Sequence, residues 1–323
     1  MMGNTHIPLS DIWSILLGRD IDNEVWASIL LKIRLPKAIT AILAGSALSV
    51  SGLLMQTLFR NPLAGPSVLG ITSGASLGMA FVMFVLGNVA GIVAIQSISF
   101  FSSWLAIIAA SLGAAMVLFI ILIISFKLKD NITLLIIGIM IGNITLALVS
   151  IWQYFSQPET IKDYLIWTFG SLGAVTSKHL LPLSMIVVIG FLIAMTLVKP
   201  LNNLLLGELY AQSVGVNIKR LRIWVILSTS ILAGSITAFC GPIGFVGIAV
   251  PHLTRSLFNT SNHLILIPAT FLLGAILMLL CDILTLLPGY SFVLPINAIT
   301  VLLGSPIIIW VIIKKRNLKQ VFN

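Results

Sequence analysis

The sequence predicts an all-α polytopic membrane protein, and three observations carry that prediction. Of 323 residues, 59% are hydrophobic and only 8% charged, where a soluble domain carries about a quarter charged residues. Mean hydropathy is +1.13. Apolar runs of about 20 residues, the length of one membrane crossing, recur along the chain. This composition excludes a soluble globular domain, a disordered chain and a nucleic-acid-binding domain. Helix is the economical choice, because an unbroken run in lipid must satisfy its own backbone bonds. No run alternates like a barrel strand.

The elements follow in order. Residues 1–36 carry Asp11, Asp20, Asp22 and Glu24 and read as an external segment before the first span. Nine spans are then predicted at 37–57, 72–87, 104–126, 132–154, 180–199, 218–239, 244–258, 264–286 and 295–313. The second and seventh are short and follow Gly/Pro-rich sequence. The chain forms one transmembrane domain, with repeat halves at 37–154 and 218–313.

Orientation comes from the basic residues. Arg60, Lys127, Lys129, Lys199, Lys219, Arg220, Arg222, Arg255, Lys314, Lys315, Arg316 and Lys319 fall on one side. Arg19, Lys32, Arg34, Lys37, Lys162 and Lys178 fall on the other. The richer side is cytoplasmic, so the C-terminus is inside, and the net charge of +9 reports cytoplasmic loops. Nine spans then place the N-terminus outside. The first residues lack the basic and apolar regions of a signal peptide. A further helix upstream of residue 1, lost through a misplaced start, is the expectation that reconciles the two. Cys240 and Cys281 lie in or beside apolar runs, with no CxxC spacing, and imply neither a disulfide framework nor a metal site.

An internal repeat sharpens the functional class. LAGSALSVSG (43–52) matches LAGSITAFCG (232–241) without gaps in its Leu, Ala, Gly, Ser and final Gly, and at the same offset Pro62 meets Pro251. Each copy is expected to end a long span, turn through Gly/Pro-rich sequence and enter a short span. The copies run in opposite directions, which is the inverted repeat of many transporters.

Other features divide between plain and functional readings. Gly70, Gly74 and Gly78 recur every four residues, on one expected helical face, and predict close helix packing. Arg60-Asn61-Pro62-Leu63-Ala64 breaks a helix at the inner face, where a gate and a simple turn both fit. Leu204 to Arg220 is the longest cytoplasmic stretch, with a short helix expected between Gly207 and Gly215. Either it lies on lipid headgroups or it docks a cytoplasmic partner. Asp282 is the one acid well inside an apolar run; a hydrogen bond pinning two helices is its plainer reading, since a lone acid makes a poor proton relay. His252 and Arg255, three apart near the inner surface, read as a structural pair or a headgroup contact. No GxxxxGK[ST] loop and no HExxH motif occurs in the sequence.

Four ordered segments are familiar. RLPKAITAILAGSALSVSGLLMQTLFRNPLAGPSVLGITSGASLG (34–78), GELYAQSVGV (207–216), GPIGFVGIAVPHLTRSL (241–257) and LPINAITVLLGSPIIIWVI (294–312) together resemble the permeases that import iron chelates, haem and vitamin B12. These are the membrane subunits of type II ATP-binding-cassette importers. The resemblance implies the type II importer permease fold with nine helices in this chain, ten with an upstream one. It implies a second permease subunit, with a homodimer the simpler case, two ATP-binding subunits that hold ATP and Mg, and an extracytoplasmic substrate-binding protein. It implies a multi-pass protein of the bacterial cytoplasmic membrane, with no catalytic residue, metal site or cofactor of its own.

By the same resemblance, Gly207, Glu208, Tyr210, Ala211, Val214 and Gly215 couple to the ATPase, with Glu208 in its cleft. Asn61, Pro62, Leu63 and Ala64 match the inner gate, together with Asn131 and Thr133 in the loop after Lys129. Arg34 and Lys37 match basic residues that pair with acids on the binding protein; the second is usually Arg, and a further external arginine is replaced near Thr285. The substrate would be a large metal chelate, a ferric siderophore before haem or cobalamin. The competing expectation is a secondary transporter driven by an ion gradient, for which Asp282 is the one candidate ion site.

Overall fold

A computed structural model of the chain describes residues 7–17, 24–86, 99–128, 131–286 and 293–314. Arg19, Asp20, Asp22, Lys129, Lys315, Arg316 and Lys319 lie outside the described residues, as do the lysine and arginine arguments that rest on them. Among the described residues, helix accounts for almost everything; one isolated bridge pairs Leu286 with Val293.

Thirteen helices occur in the described residues. A short α1 spans Leu9–Leu16. α2 runs unbroken from Glu24 to Leu58 and α3 covers Ile71–Leu86. Then come α4 (Ser99–Lys127), α5 (Asn131–Tyr154), α6 (Pro158–Thr168), α7 (Ser177–Thr196), α8 (Val198–Leu205) and α9 (Glu208–Ser213). α10 (Ile218–Cys240), α11 (Val246–Phe258), α12 (His263–Leu284) and α13 (Ile296–Lys314) complete the order. Six of these helices are long and apolar enough to cross a membrane, and α3 and α13 are shorter apolar helices. The nine predicted spans coincide with α2, α3, α4, α5, α7, α10, α11, α12 and α13.

The centre is α2 and α10, whose apolar windows are 83% and 78% buried, while those of α5 and α7 are only 28% buried. α2 packs against α10, α11 and α12, so the two sequence halves interleave. Small residues permit this. A Cβ on Gly45 would stand 2.1 Å from Gly274 O, and one on Gly52 only 1.7 Å from Gly247 O, so α2 touches α12 and α11 backbone to backbone. Several polar residues of these buried helices turn back on their own turns: Thr40 donates to Pro36 O, Ser49 to Gly45 O, Ser230 to Ile226 O and Thr237 to Ala233 O. Each hydroxyl is thereby satisfied without water.

Five sequence expectations are corrected. First, the segment 1–36 is not wholly outside the first span, because α2 already begins at Glu24. At 1.5 Å per residue its 35 residues measure roughly 52 Å, well beyond a hydrocarbon core of about 30 Å. The polar first turns therefore project past the apolar layer, which a hydropathy window cannot register. A π turn covers Leu30–Arg34, where Leu35 N–H reaches back to Leu30 O. Pro36 supplies no N–H for the Lys32 carbonyl, and the widened turn follows from that gap.

Second, the copies of the repeat differ. LAGSITAFC ends α10, but LAGSALSVSG lies inside α2, which continues to Leu58. Pro62 sits in a loop and Pro251 inside α11, so their equivalence in sequence is not one in structure. Third, Gly70 does not share a helical face with Gly74 and Gly78. It caps α3 with φ +74°, while Gly74 and Gly78 pack on Gly113 and Ala109 of α4. Fourth, Asn131 and Thr133 are the first turn of α5, not a loop. Fifth, α6 and α8 add helix between predicted spans: α6 has Pro158 at its first position, and Val198–Leu205 forms its own short amphipathic turn after α7.

Candidate functional site

The end of α2 is stopped sharply. Arg60 takes φ +47°, a left-handed conformation unusual for arginine, and its NH2 donates to Leu204 O at 2.8 Å and Leu205 O at 3.2 Å. Those two carbonyls close α8, where the backbone has orphan acceptors. One guanidinium thus ties the loop after α2 to the segment that leads into α9.

The loop Asn61–Ala64 is itself ordered by short-range bonds. Asn61 N–H donates to Gln56 O (3.2 Å), Asn61 Oδ1 accepts from Leu63 N–H (2.9 Å), and Ala64 N–H donates to Asn61 O (3.0 Å). His252 Nε2 donates to Pro62 O at 2.8 Å. Arg255 donates to Gln56 Oε1 at 2.6 Å, and Gln56 Nε2 donates to Ile248 O at 3.2 Å. His252 and Arg255 therefore brace the C-terminal end of α2 and the loop after it against α11, and the headgroup reading of the pair gives way to this. Leu63 is the exposed member of the loop and Ala64 its buried one.

α9 is a single helical turn and a half held by glycines at both ends. Gly207 has φ +122° and Gly215 φ +84°, regions that a side chain disfavours. Gly215 N–H donates to Gln212 O and Val216 N–H to Ala211 O, the paired closure of a Schellman motif. The short helix expected between these two glycines is present. Ala211 is its buried anchor. Leu206, Leu209, Tyr210 and Val214 face outward, with Leu209 85% exposed.

Glu208 points the other way. Its Oε1 accepts from Asn131 Nδ2 at 2.6 Å, and the same amide group donates to Leu58 O at 3.2 Å. Asn131 is 7% exposed, and a buried hydrogen bond to a charged acceptor is the strong kind. The acid is thus bonded to the first residue of α5, inside its own chain. Nearby, the fully buried Arg222 donates to Leu128 O at 2.8 Å and ties α10 to the end of α4. The structure accordingly brings Asn131 to Leu58 and Glu208, and Arg60 to the end of α8 just before Gly207, with Asn61 to Ala64 following directly on Arg60; Thr133 lies exposed two residues further along α5. Sequence reasoning missed Arg60, Gln56 and Arg222 as the ties. Lone polar residues at the ends of apolar runs were the available signal.

Arg34 and Lys37 lie at the other end of α2. Lys37 Nζ is 2.8 Å from Asp282 Oδ1, with side chains 22% and 15% exposed. Asp282 thus pins α2 to α12 through an ion pair, in keeping with its plainer reading. Among the described residues, no group of three or more His, Cys, Asp and Glu gathers as metal ligands.

Comparison with known proteins adds lineage to this geometry. A sequence model of the FecCD transport family matches residues 1–314. The chain is 36% identical over 293 residues to the vitamin B12 import system permease protein BtuC of Vibrio parahaemolyticus, covering 90% of this chain and 84% of that one. It is 32% identical over 316 residues to the hemin transport system permease protein HmuU of Yersinia pestis, covering 98% and 90%. A solved structure of a metal-chelate type ABC transporter in an inward-facing conformation superimposes with a TM-score of 0.81 at 30% identity, over 95% of this chain and 96% of that one.

Proposed function

The chain belongs to the FecCD transport family, and from that premise we propose that it is the membrane-spanning subunit of an ATP-driven importer for a large metal chelate. A ferric siderophore is the first candidate, with haem or cobalamin next. The subunit works as one of a pair, most simply a homodimer, in the cytoplasmic membrane of a bacterium with its C-terminus inside. Two ATP-binding subunits carry ATP and Mg, and an extracytoplasmic binding protein delivers substrate near Arg34 and Lys37.

The observation that supports this best is the arrangement around α9. Its outward face is apolar and bare, its inward acid is bonded to α5, and Arg60 ties its entry to the gate loop. A partner seated on Leu209 and Tyr210 would grip an element already joined to two parts of the inner gate. Motion of that partner, driven by ATP, then moves the gate loop and the start of α5 together. Glu208 acts in this scheme as the internal link, and the residues around it supply the contact.

The test is purification in mild detergent from native membranes, with the copurifying chains identified. An ATPase retained with the wild type and lost with Leu209→Glu supports the reading. Recovery of the chain alone, with gradient-driven uptake in vesicles lacking ATP, refutes it.

A further inference from the structure

α2 and α12 cross as antiparallel rods joined at three levels. At the crossing, Gly45 and Gly274 meet through their backbones, and Ser46 donates to Phe271 O at 2.8 Å. Toward the inner face, Thr57 Oγ1 lies 2.8 Å from His263 Nε2, and Asn202 Oδ1 accepts from His263 Nδ1 at 2.8 Å. Toward the outer face stands the Lys37–Asp282 ion pair. Lys37 precedes Gly45 by as many residues as Asp282 follows Gly274, so both charges lie about 12 Å from the crossing.

These three joints differ in kind. The glycine contact is close-packed backbone and can only rotate. The inner joint is a network of neutral side chains buried from water. The outer joint is one ion pair, mostly but not fully buried, and it sits directly after the π turn of α2. It is the joint that a charged partner approaching from outside can compete for.

We propose that the Lys37–Asp282 pair is a latch released by docking: a carboxylate of the binding protein replaces Asp282 as the partner of Lys37, and the outer ends of α2 and α12 separate about the Gly45–Gly274 crossing. This rests on the reading that Arg34 and Lys37 receive the binding protein. The coupling between exchange and separation is electrostatic. An acid left without its cation in a semi-buried site carries an uncompensated desolvation cost. Asp282 escapes that cost only if the helix ends part and admit water. Docking therefore favours the open outer end, and by reciprocity an opened end favours docking.

The experiment uses the full complex in nanodiscs with its binding protein. Spin labels at Leu35→Cys and Leu284→Cys, both exposed positions, report the outer-end separation in a background with Cys240 and Cys281 replaced by alanine. Docking is expected to lengthen this distance by several ångströms in the otherwise wild-type complex. In Asp282→Asn the distance is expected to be long before docking, and docking to be about fivefold tighter, the equivalent of one part-buried ion pair no longer competed for. A distance unchanged on docking, while Arg34→Gln abolishes docking, overturns the latch and leaves the docking reading intact. Docking unaffected by both Arg34→Gln and Lys37→Gln overturns the docking reading itself, and the latch with it. If Asp282→Asn does not accumulate, the distance with and without binding protein decides alone.

Discussion

Gly52→Ala is the substitution whose cost the structure states most directly. A Cβ at residue 52 would lie 1.7 Å from Gly247 O, 2.4 Å from Gly247 C and 2.7 Å from Gly247 Cα, where real contacts stop near 3.0 Å. Every atom it meets is backbone, so no side chain can swing aside, and α2 and α11 must part by more than an ångström. The Gln56 amide bond to Ile248 O, already 3.2 Å long, lies one turn further on and would open with them. Overpacking of this kind costs about 1–3 kcal/mol, and the stranded buried amide about 1–3 kcal/mol more. A loss near 3 kcal/mol lowers the unfolding midpoint by roughly 4–5 °C in a chain of this size. The assay is thermal unfolding of the purified protein in detergent, followed by tryptophan fluorescence. The comparator is Gly234→Ala, whose new Cβ meets only Ile71 Cγ2 at 3.5 Å and Ala114 Cβ at 3.6 Å, ordinary contacts. That variant is expected to match the wild type or exceed it slightly, because alanine favours helix. If the two variants unfold together, the backbone contact between α2 and α11 is wrong.

Three further outcomes follow from the inner site. Asn131→Ala and Glu208→Gln should each reduce transport in reconstituted vesicles. Their double variant should lose less than the sum, with a coupling energy of about 1.5–3 kcal/mol for a bond to a charged acceptor; strict additivity would show that the two do not act through one bond. Gly215→Ala should destabilise the α9 turn by roughly 1 kcal/mol through its positive φ, despite having no neighbour within 4 Å of the added carbon, and faster amide exchange at Val216 is the readout. Arg60→Ala should strip the side-chain donor from the Leu205 carbonyl, leave Leu204 O with the Gly207 N–H alone, and raise protease cleavage between residues 205 and 217 several-fold; an unchanged digestion rate would remove Arg60 from its tying role.

Much of the fold follows from sequence alone, because membrane helices are specified locally. A run of apolar residues in lipid has no alternative to closing its own hydrogen bonds, so the spans at 218–239 and 264–286 coincide with α10 and α12 almost to the residue. The glycines at 207 and 215 likewise announce the ends of α9, since both take φ values that only glycine adopts readily. The start of α2 was not legible, because hydropathy marks the apolar layer and a helix can outrun it. Nor was α6, whose mixed composition gives no apolar window. Pairings were the least legible. Lys37 and Asp282 are 2.8 Å apart in space and at opposite ends of the chain. Glu208, which the resemblance places toward an ATPase, also accepts from Asn131 of its own chain, a bond that no sequence pattern announces. Residue type and spacing set which helices form and which of their positions are polar. Which polar group meets which depends on how rods cross, and the crossings are set by glycine contacts such as Gly45 on Gly274 and Gly52 on Gly247, whose partners only the packed structure brings together.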